Sequence, residues 1–287
     1  MTQLRLPPAT TLGTVRLQVS ELERSIDYYE RVIGLVAVKQ GARRADLTTA
    51  GGAMTIVELC ERRFASPVPK RGRLGLYHFA ILLPNRAALG RFLSHLAESV
   101  TRAGMSDHLV SEAVYLTDPD GLGIEIYCDR PRDSWQRVDG QLAMASNPLD
   151  LDAVIESAGG ERWTGMPAGT TIGHVHLHVG DIEDAATFYC DGPCLEKTVW
   201  SYPGALFMAA GSYHHHLGTN TWAAGATRPS DSESRLLHWQ VVVPTPGDAA
   251  AAAANLRAGG HPVIAAGAAW RATDPWGTTL EIIAAIS

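Results

Sequence analysis

The 287-residue chain lacks the features that mark several large classes of protein. No segment approaches the roughly 18 consecutive apolar residues that a membrane-spanning helix needs. The four cysteines form no Cys-x-x-Cys pair and are too few for a disulfide scaffold of this size. Basic residues (24) are outnumbered by acidic residues (30), and the net charge of −6 argues against a nucleic-acid partner.

Targeting and nucleotide-binding motifs are also absent from the sequence. Residues 1–11 contain no apolar segment of a secretory signal, so we expect a cytoplasmic protein without a membrane partner. No Gly-x-Gly-x-x-Gly follows a strand pattern, and neither Gly-x-Ser-x-Gly nor His-Glu-x-x-His occurs. With 46% hydrophobic and 19% charged residues, the composition is that of a globular protein, and the length predicts two domains.

The most informative feature that is present is an internal repeat. Residues 14–19 (Thr-Val-Arg-Leu-Gln-Val) correspond to residues 174–179 (His-Val-His-Leu-His-Val) at an offset of 160. Later in each copy the offset shortens to 156, where the Asp-Pro-x-Gly segments 118–121 and 274–277 correspond. We therefore interpret the chain as a tandem duplication.

Each copy divides again into two units of the order strand-helix-strand-strand-strand. Val15, Leu17 and Val19 alternate with polar residues, which is typical of a strand with one buried face. Residues 20–23 (Ser-Glu-Leu-Glu) match a helix capping box, and apolar residues at helical spacing follow them. The fold class predicted from these patterns is α+β with mixed sheets.

Four βαβββ units in two pairs resemble the vicinal-oxygen-chelate superfamily of glyoxalases, bleomycin-resistance proteins and dioxygenases. Segments 110–125, 173–179 and 213–218 are similar to the two-domain, catechol-2,3-dioxygenase-like extradiol enzymes of bacteria. The resemblance covers nearly all of the chain and implies two tandem domains with cupped β-sheets. It does not fix the reaction, because one fold supports many chemistries.

The repeat and the resemblance together predict a division of the chain. Residues 1–130 are expected to form an N-terminal domain that acts as a scaffold. Residues 131–171 are expected to form a linker with a short helix, and residues 172–287 a C-terminal domain that carries the metal and active site.

The resemblance implies a metal centre formed by His174, His238 and Glu281, whose positions converge in superfamily members. Two imidazoles and one carboxylate leave open coordination positions, which suits non-haem Fe(II), with Mn(II) as the alternative and O2 as co-substrate. A lone strand histidine is more often a satisfied core residue, but three such positions in repeated units favour a metal.

The N-terminal copy retains only part of this set. His78 and Glu125 occupy two of the three positions, but Thr14 occupies the third and is a poor ligand. We therefore interpret any site in the N-terminal domain as vestigial.

Histidine is the natural proton carrier near neutral pH, and residues 213–216 contain three in a row. The resemblance places the acid/base histidine of extradiol enzymes at His215. The register leaves His214 and His216 open for this role, and a solvated histidine loop is the structural alternative.

A second catalytic position, His261, is expected to hydrogen-bond the substrate, although a plain turn histidine is equally compatible with its setting. The C-terminal copy departs from the extradiol pattern because Arg271 stands where a tyrosine is expected. The N-terminal copy matches that stretch better, with His108 and Tyr115. It remains open at this point whether the N-terminal copy takes part in catalysis.

The function predicted is a metal-dependent extradiol-type dioxygenase that acts on a small aromatic vicinal diol. A glyoxalase-like lyase or isomerase and a non-enzymatic small-molecule-binding module are the alternatives. Assembly into a homo-oligomer is compatible with the sequence, which does not define its size.

Overall fold

The computed structural model describes residues 5–285, and these form four units of the order βαβββ that are joined by short connections and one longer linker. Module 1 consists of β1 (Thr11–Val19), α1 (Leu22–Tyr28), β2 (Val36–Lys39), β3 (Arg44–Thr48) and β4 (Val57–Glu61). Module 2 consists of β5 (Gly75–Leu82), α2 (Arg86–Glu98), β6 (Gly104–Asp107), β7 (Ser111–Thr117) and β8 (Gly123–Asp129).

The linker and the second half follow in chain order. The linker contains β9 (Arg137–Val138), β10 (Gln141–Leu142) and α3 (Leu151–Glu156). Module 3 consists of β11 (Thr171–His178), α4 (Ile182–Ala186), β12 (Glu196–Val199), β13 (Ala205–Ala209) and β14 (Leu217–Asn220). Module 4 consists of β15 (Arg235–Val243), α5 (Pro246–Ala258), β16 (Val263–Ala266), β17 (Ala269–Thr273) and β18 (Thr279–Ala284).

The modules pair across the two halves of the sequence. One eight-stranded sheet has the order β16-β17-β18-β15-β1-β4-β3-β2 and combines modules 1 and 4; we call it the outer sheet. The other, the inner sheet, has the order β12-β13-β14-β11-β5-β8-β7-β6 and combines modules 2 and 3. In each sheet the first strands of the two modules pair antiparallel at the centre.

This pairing confirms the predicted α+β fold with cupped mixed sheets and four βαβββ modules. The two sheets do not correspond to the expected domains of residues 1–130 and residues 172–287, because each sheet contains one module from each half of the chain. The predicted short helix of the linker is α3. One apolar core includes buried residues of all four modules, among them Leu17, Phe79, Val175 and Trp239.

The repeated Asp-Pro-x-Gly segments are structural turns between the last two strands of modules 2 and 4. The Oδ1 atom of Asp274 accepts the backbone N–H groups of Trp276 (2.9 Å) and Thr278 (2.7 Å). Its Oδ2 atom accepts the hydroxyl of the buried Tyr189 at 2.9 Å. Asp118 in module 2 makes the corresponding bonds, so this part of the repeat has a folding role.

The capping box predicted at residues 20–23 is wrong. Glu21 is the N-cap residue of α1, and its side chain makes no capping bond. The hydroxyl of Ser20 donates instead to Asp120 in the turn of module 2, at 2.7 Å. Ser20 therefore joins modules 1 and 2 rather than capping its own helix.

β-Bulges set the register where modules 2 and 3 meet. Between β11 and β5 the register shifts between Ile172 and His174 and again between His176 and Leu177. The first shift leaves Gly173 without a partner, and a Cβ atom at Gly173 would lie 1.7 Å from the hydroxyl of Tyr127. Only glycine allows the Tyr127 ring to lie against the backbone at this point.

No helix among residues 5–285 is long and apolar enough to cross a membrane.

We predict that Gly173→Ala lowers the free energy of unfolding by about 1–3 kcal/mol, because the new methyl group overpacks a buried tyrosine. Gly225→Ala is the matched control, since nothing lies within 4 Å of a Cβ atom there. Urea denaturation followed by circular dichroism measures both. Equal stability of the two variants would contradict the close approach of Tyr127 to Gly173.

Candidate functional site

Three adjacent strands at the centre of the inner sheet bring together two histidines and a glutamate. His174 lies on β11, His78 on β5 and Glu125 on β8, and β5 pairs with both of the other strands. Alternation along each strand directs all three side chains to the concave face of the sheet. The site therefore takes its residues from modules 2 and 3.

The three side chains are in direct contact and almost completely buried. The Oε2 atom of Glu125 lies 2.9 Å from His78 Nε2 and 3.0 Å from His174 Nε2. One ligand atom from each residue lies within 4.8 Å of the other two. A compact set of this kind, with two imidazoles and one carboxylate, could hold a metal ion.

The hydrogen bonding and pKa values of this set fit a metal ion. His78 Nε2 is buried and lies 2.9 Å from Glu125 Oε2, but the two atoms are not aligned as a hydrogen bond. Burial lowers the pKa values of His78 and His174, which favours neutral imidazoles. Burial acts to raise the pKa of Glu125, but the two histidines outweigh it and hold that pKa well below its ordinary value. An ionised carboxylate and neutral imidazoles are the forms that bind metals.

His215 lies directly beside this set, between β13 and β14. Its ring centroid is 4.1 Å from that of His174, and its side chain lines the same cavity. His214 lies behind it, fully buried, and His216 accepts the backbone N–H of Ala210. Of the three neighbouring histidines, only His215 lines the cavity, and the histidine segment is buried rather than a solvated loop.

His108 and Tyr115 form a hydrogen-bonded pair on the opposite side of the cavity. His108 Nδ1 lies 2.6 Å from the carbonyl oxygen of Ala145, which can only accept, so Nδ1 is the donor. His108 Nε2 then accepts the hydroxyl of Tyr115 at 2.6 Å. Burial and the charge of Glu125 raise the pKa of Tyr115 well above its ordinary value, so the phenol stays protonated.

These groups surround a cavity of about 280 Å³. Its walls are largely aromatic, with Tyr77, Tyr202, Phe207 and Trp222, and the linker closes one side through residues 144–146. A small cavity with apolar walls and a few convergent polar groups is typical of a site for a small molecule.

The structure does not bring together the metal ligands predicted as His174, His238 and Glu281. His238 and Glu281 lie in the outer sheet, whereas His174 lies in the inner sheet. Arg271 donates to Glu281 Oε1 at 2.8 Å and Gln240 donates to Oε2 at 2.7 Å. Both oxygens of this carboxylate therefore already accept hydrogen bonds from protein groups.

The predicted ligands are separated because the modules pair across the two halves of the chain. The position in the outer sheet that corresponds to His174 is Thr14, whose hydroxyl donates to the carbonyl oxygen of Thr55 at 2.7 Å. The prediction assumed that each half of the chain forms its own sheet. It therefore combined one ligand of the inner sheet with two residues of the outer sheet.

Three other histidines can now be placed. His261 lies just before β16, with its ring 4.8 Å from that of Phe188, and it does not line the cavity around His174. Its predicted contact with the substrate is therefore not supported by its position. His176 lines the cavity, and His178 lines an adjoining one.

The sequence did contain a signal for the correct set. The extradiol pattern is complete only when module 2, with His78, His108, Tyr115 and Glu125, is combined with module 3, with His174 and His215. The contribution of linker residues 144–146 to the cavity had no counterpart in any motif.

Comparison with known proteins agrees with this architecture. Residues 11–126 and 171–282 match the profile of the Glyoxalase/Bleomycin resistance protein/Dioxygenase superfamily. The chain is 42% identical over 270 residues to Catechol-2,3-dioxygenase of Bacillus subtilis (strain 168), a match that covers 93% of this chain and 94% of that protein.

Two solved structures share the fold at low sequence identity. A protein of Bacillus subtilis subsp. subtilis str. 168 superimposes with a TM-score of 0.64 at 14% identity, covering 98% of this chain and 86% of that one. Glyoxalase I from Zea mays superimposes with a TM-score of 0.52 at 15% identity, covering 96% and 92%. The chain belongs to the Glyoxalase/Bleomycin resistance protein/Dioxygenase superfamily, as the resemblance of its motifs indicated.

We predict that His78→Ala weakens Fe(II) or Co(II) binding by more than about 100-fold. Loss of a residue that only supports a metal ligand costs about 10–100-fold in affinity, and this variant loses one of the three ligands themselves. His238→Ala is the matched control, since His238 occupies the same position in the outer sheet. Anaerobic equilibrium dialysis with metal analysis measures both. Loss of metal from His238→Ala alone would favour the ligand set predicted from the sequence.

Proposed function

We propose that the protein is an extradiol-type ring-cleaving dioxygenase that inserts O2 into a catechol-like vicinal diol at a non-haem Fe(II) centre. The observation that carries the proposal is the set of His78, Glu125 and His174 at one end of a small aromatic cavity. The 42% identity to a protein named Catechol-2,3-dioxygenase supports it.

In this proposal His78, His174 and Glu125 are the residues that would hold the iron. Two histidines and one carboxylate with open positions are the ligand set of non-haem Fe(II) oxygenases. When bound, the iron supplies the redox chemistry that couples oxidation of the diol to reduction of O2. Mn(II) is the alternative metal, and reconstitution of the metal-free protein with each ion distinguishes them.

The surrounding side chains bind the diol and move its protons. His215 takes a proton from a diol oxygen and returns it as the ring opens, because its ring lies beside His174 and lines the cavity. The Tyr115 hydroxyl, whose proton is donated to His108, accepts a hydrogen bond from a substrate hydroxyl group. Tyr77, Phe207 and Trp222 pack around the ring and exclude water.

The substrate is proposed to be a diol without a charged ring substituent. None of the described residues that line the cavity is a lysine or an arginine. Lys70 and Arg71 line a separate, adjoining cavity. A carboxylate attached to the ring would therefore be buried without a cationic partner, which is costly.

Location and assembly remain predictions from the sequence. We propose a cytoplasmic enzyme that has no nucleic-acid or membrane partner and that can assemble into a homo-oligomer.

We predict that protein purified without oxygen and reconstituted with Fe(II) consumes O2 when catechol is added, with formation of a yellow ring-opened product. His215→Ala should lower kcat by about 100-fold or more because the proton acceptor is lost. An oxygen electrode and absorbance spectra follow the reaction. Tight metal binding without oxygen uptake would contradict the proposal and favour a glyoxalase-like proton transfer; absence of both would favour a binding module.

We predict that kcat/KM for 3,4-dihydroxybenzoate is at least about tenfold lower than for 4-methylcatechol, a difference that corresponds to roughly 1.4 kcal/mol. The two compounds differ mainly in the charge of one substituent, so the comparison isolates the cost of burying a carboxylate. Initial rates of oxygen uptake measure both. A preference for the acid would show that a cationic group reaches the substrate.

A further inference from the structure

A chain of hydrogen bonds runs from His215 in the cavity, through His214, to the last residue of β8. His215 Nδ1 lies 2.7 Å from His214 Nδ1. His214 Nε2 lies 3.0 Å from the Oδ1 atom of Asp129 on β8. The two histidines are buried, whereas the side chain of Asp129 is 23% exposed.

The acceptor at the end of this chain determines which nitrogens carry protons. An ionised carboxylate can only accept, so His214 Nε2 carries the proton that Asp129 receives. Neutral His214 then has a lone pair on Nδ1, and it accepts a hydrogen bond from His215 Nδ1–H. Neutral His215 is left with its lone pair on Nε2, the nitrogen not engaged by the protein.

Tyr213 also contacts both Asp129 and His214. The hydroxyl of Tyr213 donates to the same Oδ1 atom at 3.1 Å. The Tyr213 ring lies 4.1 Å from that of His214, at 33° between planes. Asp129 also shares a face of β8 with Glu125, because residues four apart on a strand point the same way.

The outer sheet provides an internal comparison. At the positions that correspond to His214, His215 and Asp129, it carries Met54, Thr55 and Ala285. The chain of donors and acceptors is thus restricted to the sheet that contains His78, Glu125 and His174. A folding role common to all modules would require these groups in both sheets.

We propose that Asp129 and His214 are positioning residues that hold His215 in its Nδ1–H form, so that Nε2 faces the substrate as the proton acceptor. The proposal rests on the proposed function for its consequence in catalysis, but the tautomer of His215 can be measured independently. In the opposite tautomer, Nε2 would carry a proton and could not take one from the diol.

The first test is the tautomer of His215 in the metal-free protein. Long-range ¹H–¹⁵N NMR spectra distinguish Nδ1–H from Nε2–H imidazoles, and the signals are assigned by their loss in His215→Gln. We expect an Nδ1–H ring in the wild type and loss of this tautomer preference in Asp129→Leu, whose side chain offers His214 no acceptor. An Nε2–H ring in the wild type, or no change in the variant, would overturn the proposal.

The second test is kinetic. In the iron-loaded enzyme with catechol, we expect Asp129→Leu to lower kcat by about 100-fold with KM changed by less than about threefold, as for loss of a correctly oriented base. Tyr213→Phe is the control, because it removes the other donor to Asp129 and leaves the histidine chain intact. We expect it to keep the His215 tautomer and most of kcat. Equal losses in both variants would indicate a merely structural role.

The two tests separate failure of this inference from failure of the proposed function. An Nδ1–H tautomer that depends on Asp129, in a protein that does not cleave catechol, would contradict the proposed function alone. Active enzyme with an Nε2–H ring at His215 would contradict the positioning role alone.

Discussion

The antiparallel pairing of β5 with β11 is the contact on which the candidate site depends. It sets His78 and His174 on neighbouring strands, and β8, paired on the other side of β5, adds Glu125. Neither half of the chain contains this set by itself. The pairing also gives a buried carboxylate two imidazole neighbours, which matters because an unpaired buried charge is costly.

The outer sheet shows what the same unit becomes when a few side chains differ. His238 and Glu281 occupy positions that correspond to His78 and Glu125, but Arg271 takes the position of Tyr115. Its guanidinium neutralises Glu281 directly, at 2.8 Å, so the carboxylate needs no metal. In the inner sheet the tyrosine at this position is uncharged, and the charge of Glu125 is left to the two histidines. Arg271, together with Thr14 at the position of His174, therefore distinguishes the outer sheet from the candidate metal site.

Most of the residues of the candidate site could be picked out from residue types and spacing. Which of these residues lie together in the fold could not. The repeat indicated the βαβββ modules, and the motifs indicated two histidines, a glutamate and an acid/base histidine at His215. His174 was assigned correctly to a first strand but combined with the wrong module. His108 and Tyr115 were noted without a role, because a pattern split between the halves looks incomplete in each.

The sequence by itself determined the local structure: alternating apolar residues define the strands, and the repeat defines their order. It also determined which functional groups are available. Only the tertiary structure decided which modules share a sheet. The first strands of all four modules bury similar apolar faces, so β11 could satisfy its hydrogen bonds against either β5 or β15. The choice depends on the packing of all four modules into one core and on bulges such as that at Gly173, and neither is visible in local sequence.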